Sequence, residues 1–318
     1  MGTLIGHVGP GFGFMVIGVW HLYNHLKILA QHGASYYKSQ PWFPLMHGLL
    51  RRLELYLIIC GCTLSVAMEL FIGPDKHQPL DADGTIPSNH LHNFEHSSIS
   101  LTFLVYALFA LALDKWATKP MPAQDEVVQV LGGLAFWQQL LLFHLHSADH
   151  MGVEGQYHWL LQLVVFSCLA TTLMGVGRGR TCFAVGFVRS LSIMFQGVWL
   201  MVMGFALWTP ALIPKGCFMN LEDGHKVVRC QGEGSLHRAK ALVNIQFSWF
   251  LIFMAAFAAA SYVSMMLLYG NNNNNNKYSV MSLSEQEDDE DVEAPKQQIN
   301  QNLVQSHNTN KPIHHMER

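Results

Sequence analysis

FAVGFVRSLSIMFQGVWLMVMGFALW, residues 183–208, decides the class of this protein. The stretch exceeds the roughly 20 predominantly apolar residues that carry a helix across a bilayer at about 1.5 Å of rise per residue. Working outward, the same reading gives spans at Val8–Ala30, Glu54–Ile72, Phe94–Leu113, Val127–His146, Tyr157–Met174 and Leu242–Leu268. The expectation is an all-α polytopic membrane protein, a seven-transmembrane helix bundle over residues 1–270, followed by a disordered cytosolic tail over 271–318. The first run is the least clean, because His21, Asn24, His25 and Lys27 interrupt it.

Composition agrees. Half of the 318 residues are apolar and 13% are charged, about half the charge of an average soluble domain. The net charge of −3 comes without a basic stripe interleaved with aromatics, so the partner is the lipid bilayer and not nucleic acid. The first apolar run follows Met1 without a basic n-region and is expected to be retained. Gly6 stands where a myristoylation signal prefers Ser or Thr. The chain has no N-x-Ser/Thr sequon.

Short-loop Lys and Arg set the expected orientation. Lys38, Arg51 and Arg52, then Lys115 and Lys119, then Arg178 and Arg180 follow helices one, three and five. That places the N-terminus outside and the C-terminus in the cytosol, at the plasma membrane or an endomembrane. The loop from Pro210 to Lys240 runs against the rule, with Lys215, Lys226, Arg229, Arg238 and Lys240. The six cysteines contain no CxxC, which excludes a zinc ribbon, and Cys60 and Cys62 lie in an apolar run. Cys217 and Cys230 share the long polar loop, where an oxidising compartment would let them form a disulfide.

The tail begins with an Asn271–Asn276 run and an acidic stretch from Glu285 to Glu293, which cannot build a core. Tyr278 and Met281 fit a tyrosine-x-x-apolar sorting signal, and Ser282 and Ser284 precede acids. Sorting or adaptor proteins are the partners such a tail would engage.

Eighteen histidines are many, and they cluster. His92 and His96 stand four apart with Glu95 between them. His146 and His150 repeat that spacing beside His144 and Asp149, and His158 opens helix five. Residues four apart share a helix face, so the pairs present imidazoles toward one depth at the exoplasmic boundary, which Glu69 can join. This is a ligand set for zinc or non-haem iron at His92, His96, His146, His150 and His158, with haem ligation by two histidines as a further option. The plain alternative is a belt of interfacial histidines that binds nothing. No HExxH is present, which disfavours a zincin-type protease.

His21, Asn24 and His25 lie about 20 Å along helix one and belong to the other side, where interhelical hydrogen bonding is their expected role. Gln138, Gln139, Gln162, Gln196, Asn244 and Gln246 read the same way. No Asp or Glu falls near the centre of a span, so a carboxylate relay for proton-coupled transport has no visible path. Gly9, Gly11, Gly13 and Gly18 suit close helix packing.

The order His92-Asn-Phe-Glu-His96-Ser-Ser, then Phe136-Trp137-Gln-Gln ending in His144-Leu-His146, then Tyr157-His158-Trp-Leu-Leu resembles the transmembrane protein 45 family, in particular its plant viral-response-like members. The resemblance runs from about Leu4 to Leu268. It implies a multi-pass membrane protein in a family without an assigned molecular activity, and it transfers no catalytic residues. Animal members of the family place a glutamate near Gln138 and Gln139, so a shared carboxylate ligand does not follow. Two classes of function stand open: a metal-dependent enzyme or metal-binding protein, and a non-catalytic scaffold or adaptor working through the tail.

Overall fold

A computed structural model describes residues 3–45, 48–74, 77–116, 121–147, 151–222 and 225–270. The tail, with Tyr278 and Met281, and His150 lie outside these described residues. Seven α-helices follow in order: α1 Leu4–His32, α2 Leu53–Ala67, α3 Leu91–Trp116, α4 Gln124–Ser147, α5 Gly152–Met174, α6 Phe183–Trp208 and α7 Glu233–Tyr269. Each, with its flanking turn, is long and apolar enough to cross a membrane, so the chain is a multi-pass all-α bundle. One small antiparallel hairpin, β1 Cys217–Glu222 with β2 His225–Cys230, sits between α6 and α7, in register from Cys217↔Cys230 to Glu222↔His225.

Local chemistry sets the helix ends. The Thr3 hydroxyl caps α1 by accepting from the Gly6 N–H at 3.0 Å. Gly33, at φ 74°, closes the helix with its N–H on the Leu29 carbonyl, a conformation that favours glycine. Beyond Ala67, α2 widens into a π-helical turn over Met68–Ile72, which carries Glu69. Such bulges re-aim the side chains they hold.

Lipid supplies no hydrophobic force between helices, so close packing and hydrogen bonds join them. The most extensive interface is α1 on α6. The two run antiparallel, with Gly11 against Gly197, Gly18 against Met194 and His7 against Gly204. A β-carbon at Gly18 would fall on the Met194 backbone, and one at Gly197 on the Met15 backbone. Gly9 and Gly13 face open space and take no part, which corrects their expected packing role.

Helix α6 is the most buried and α2 among the least. Trp199 and Met203 of α6 are fully buried among Tyr157 and Leu161 of α5 and Val243 of α7. All six amides expected to bond between helices do so. Gln138 meets Thr102, Gln139 meets Gln196 at 3.1 Å, Gln162 meets His144, Gln246 meets Tyr157 and Asn244 meets Gln156.

Candidate functional site

Two polar clusters lie at opposite ends of the bundle. The first gathers the ends of α1, α2, α3, α4 and α5 around a row of imidazoles. His92 stands edge-on to His96 with ring centroids 6.4 Å apart, His96 is 5.5 Å from His146, His146 is 6.5 Å from His158, and His158 is 6.0 Å from His7. His7 closes the row by stacking on Trp208 at 4.7 Å.

The partners of the ring nitrogens matter more than the spacing. His96 Nδ1 faces Glu69 Oε1 at 3.3 Å, and His146 Nδ1 faces Glu95 Oε2 at 2.9 Å. His158 Nδ1 lies 2.9 Å from the Glu154 carbonyl, and His7 Nδ1 lies 2.9 Å from the Thr3 carbonyl. His144 Nδ1 faces Gln162 Oε1 at 3.1 Å. Carbonyls, amide oxygens and carboxylates only accept, so in the four hydrogen-bonded rings, His7, His96, His144 and His158, Nδ1 carries the proton, while His146 meets Glu95 as an ion pair. In the neutral imidazole Nε2 is then the lone-pair nitrogen. Glu69 is itself held by the Asn93 amide at 2.8 Å.

Thus the structure brings His92, His96, His146 and His158 of the expected set into one row. The carboxylates Glu69 and Glu95 act as orienting partners. Among the described residues, no three His, Cys, Asp or Glu side chains are already gathered as a compact ligand set. His7 was not anticipated, because in sequence it is a lone histidine just ahead of the first apolar run, and only the α1–α6 contact carries it to His158.

The second cluster is buried at the other end. His21 Nε2 meets Glu54 Oε1 at 2.8 Å, and Glu54 Oε2 accepts the Phe43 N–H at 2.8 Å. Arg189, inside α6, donates to the Gln40 carbonyl at 2.7 Å and to His25 Nε2 at 3.4 Å. Arginine can only donate, so His25 Nδ1 carries the hydrogen toward the Tyr37 oxygen at 2.6 Å. Burial pushes the Tyr37 phenol up to about 12, keeping it neutral. Arg180 donates to the Ser39 carbonyl and pairs with Asp125 at 2.5 Å and Glu126 at 3.1 Å, while the Tyr106 hydroxyl donates to the Pro41 carbonyl at 2.9 Å. Together these groups staple residues 39–43 across the end of the bundle. His21 bonds between helices as expected and His25 joins α1 to this loop and to α6. Asn24 does not, since its amide donates to the Trp20 carbonyl of its own helix at 2.7 Å. Glu54 and Arg189 escaped the sequence reading because their partners lie 33 and 149 residues away.

Cys217 and Cys230 are joined as a disulfide across the first pair of the hairpin. The Glu222 carboxylate on β1 pairs with Arg229 on β2, which holds its pKa down at about 2.

Residues 125–263 match the model of a family of unknown function, DUF716. It is the family model of the transmembrane protein 45 proteins. The match covers α4 to most of α7, and therefore His146, His158, Arg189 and the disulfide, while His7, Glu69 and His96 lie ahead of it.

Proposed function

We propose that the histidine end of this multi-pass protein binds a divalent transition-metal ion, zinc or iron, through His146 together with His96 and His158. One observation carries the reading: His96 and His158 each have Nδ1 hydrogen-bonded to an oxygen acceptor, and the His146 ring stands between theirs with Nδ1 2.9 Å from the Glu95 carboxylate. That arrangement orients metal-binding histidines and sets Nε2 as the coordinating atom. The spacing supports it. With zinc–nitrogen bonds of about 2.0–2.1 Å, two imidazoles on a tetrahedral ion have ring centroids roughly 5 Å apart. His96 and His146 stand at 5.5 Å, close to that spacing, and His146 and His158 at 6.5 Å, so in this proposal His146 shares the ion with His96 and the His158 ring swings toward them to complete the set.

In the same reading the chain is a plant-type relative of the transmembrane protein 45 proteins with an exoplasmic histidine end, which the basic loops after α1, α3 and α5 support. The test is metal analysis of protein purified without chelator, beside His96→Ala, His146→Ala and His158→Ala variants that fold normally. Near-stoichiometric metal in the parent and loss in each variant is expected. Background metal in the parent, or unchanged metal in all three variants, would overturn the proposal and leave the tail-based scaffold ahead. Protease protection of a tail tag in sealed microsomes checks the orientation. A tag lost without detergent agrees with it, and one lost only after detergent reverses it.

A further inference from the structure

A groove of about 380 Å³ runs between α3 and α4, walled by Leu101, Val105, Leu131 and Leu134, with Ser98, Thr102 and Gln138 set among them. Its position along the helices is fixed by two contacts. Thr102 bonds to Gln138 within the groove, and the Glu95–His146 pair joins the same two helix faces toward the histidine end. On α3, Glu95, Ser98 and Thr102 are three and then four residues apart and so share one face. From Gln138 to His146 is eight residues, about 12 Å of rise. The groove therefore runs from the apolar middle of the bundle toward the imidazole row and ends at Ser98, about one helical turn short of Glu95.

Its mouth opens sideways. Val105 is 55% exposed and Leu134 52% exposed, on a face that a bilayer would cover. Two occupants would suit an apolar cleft there: a lipid chain or a helix of another protein. The apolar walls, Leu101 to Val105 on α3 and Leu131 to Leu134 on α4, run for about one helical turn each, a short seat for a packed helix but enough for a segment of one acyl chain. The volume lies in the range of small-molecule sites, which are apolar with a few placed polar groups, as here. We infer that this groove holds the acyl chain of a membrane lipid, its ester or amide linkage near Ser98 and its head presented to Glu95 and His146. The inference rests on the histidine end being a binding site, and it names the ligand class of that end. It does not require the ion.

The full-length protein in nanodiscs containing a phosphatidylcholine with a diazirine in one acyl chain gives the test. After photolysis and peptide mapping, labelling of Leu101–Tyr106 and Leu131–Gln138 is expected to exceed that of Leu57–Leu64 on α2 at least fivefold. Leu57 and Leu64 are 51% and 59% exposed, so they report ordinary annular lipid. Val105→Trp and Leu134→Trp fill the groove from opposite walls at positions outside the core, and each should cut that labelling severalfold with metal content unchanged. Even labelling of the three segments, or selective labelling that neither variant reduces, overturns the groove. Selective, blockable labelling in protein that holds no metal keeps the groove and removes the ion, so the two readings fail separately.

Discussion

His146 Nδ1 stands 2.9 Å from Glu95 Oε2, a contact between α4 and α3 at the junction of the imidazole row and the lateral groove. The carboxylate draws the Nδ1 side of the His146 ring toward α3, so it orients the ring without touching what the ring binds. Glu95→Gln keeps the shape and removes the charge. The expected outcome is a 10–100-fold weaker zinc affinity by competition titration, the usual cost of losing such an orienting partner, with thermal stability close to the parent. Unchanged affinity would place Glu95 outside the site.

Acid should strip a bound ion, because only the neutral imidazole coordinates. Metal content, followed by equilibrium dialysis at fixed free metal, is expected to fall as pH is lowered, because protons compete with the ion for the ring nitrogens. Metal content that does not change with acid down to pH 4 would rule out imidazole ligands.

The hairpin titrates separately. Glu222 is held at about 2 in the folded protein by Arg229, against an ordinary 4.5. A lowered folded pKa means that the contribution is fully present above 4.5 and is lost as pH falls through 2. Exchange protection of the Val227 and Val228 amides, taken relative to the intrinsic rate at each pH, should therefore fall between pH 4.5 and 2. Glu222→Gln should flatten that dependence.

Glycine packing separates two positions on one helix. Gly18→Ala forces its methyl onto the Met194 backbone and is expected to destabilise the bundle by about 1–3 kcal/mol, the common cost of overpacking. Gly9→Ala meets open space and should be neutral or stabilising by up to about 1 kcal/mol through helix propensity. Paired melting curves in one detergent decide it, and equal shifts would contradict the α1–α6 register.

At the opposite end, Glu54→Ala leaves the His21 ring and the Phe43 N–H without their buried acceptor, at about 1–3 kcal/mol for each lost bond. Limited proteolysis within residues 39–45 should accelerate. Glu54→Gln keeps one acceptor and should cut more slowly than Glu54→Ala.

How much was legible in the sequence follows from where each signal lies. Both bounds of α6, Phe183 and Trp208, were readable because apolarity holds to each end. Helix α5 starts at Gly152, five residues before the expected Tyr157, because its first turns bury Glu154, a residue that hydropathy assigns to a loop. Helix α7 starts at Glu233 instead of Leu242, since its leading turns are polar and extend past the apolar run. The hairpin has a local sequence signal, Asp223-Gly224 between two short runs, that the polarity of the surrounding loop obscures. Pairs such as His21 with Glu54 or His7 with His158 have no local signal at all. They exist only once helices are packed, as do the Nδ1 contacts that distinguish an oriented imidazole row from a belt of interfacial histidines.

The 37-residue α7 is about 55 Å long, whereas the hydrocarbon core it crosses is about 30 Å thick. Its leading turns and the disulfide-clamped hairpin, anchored through the buried Val228, form a fixed turret above the histidine end. For electron microscopy of a small bundle enclosed in lipid, this is a ready handhold. An antibody fragment raised against the two strands and the leading turns of α7 would grip this disulfide-clamped unit and give each particle image a direction, without occupying the groove or the imidazole row.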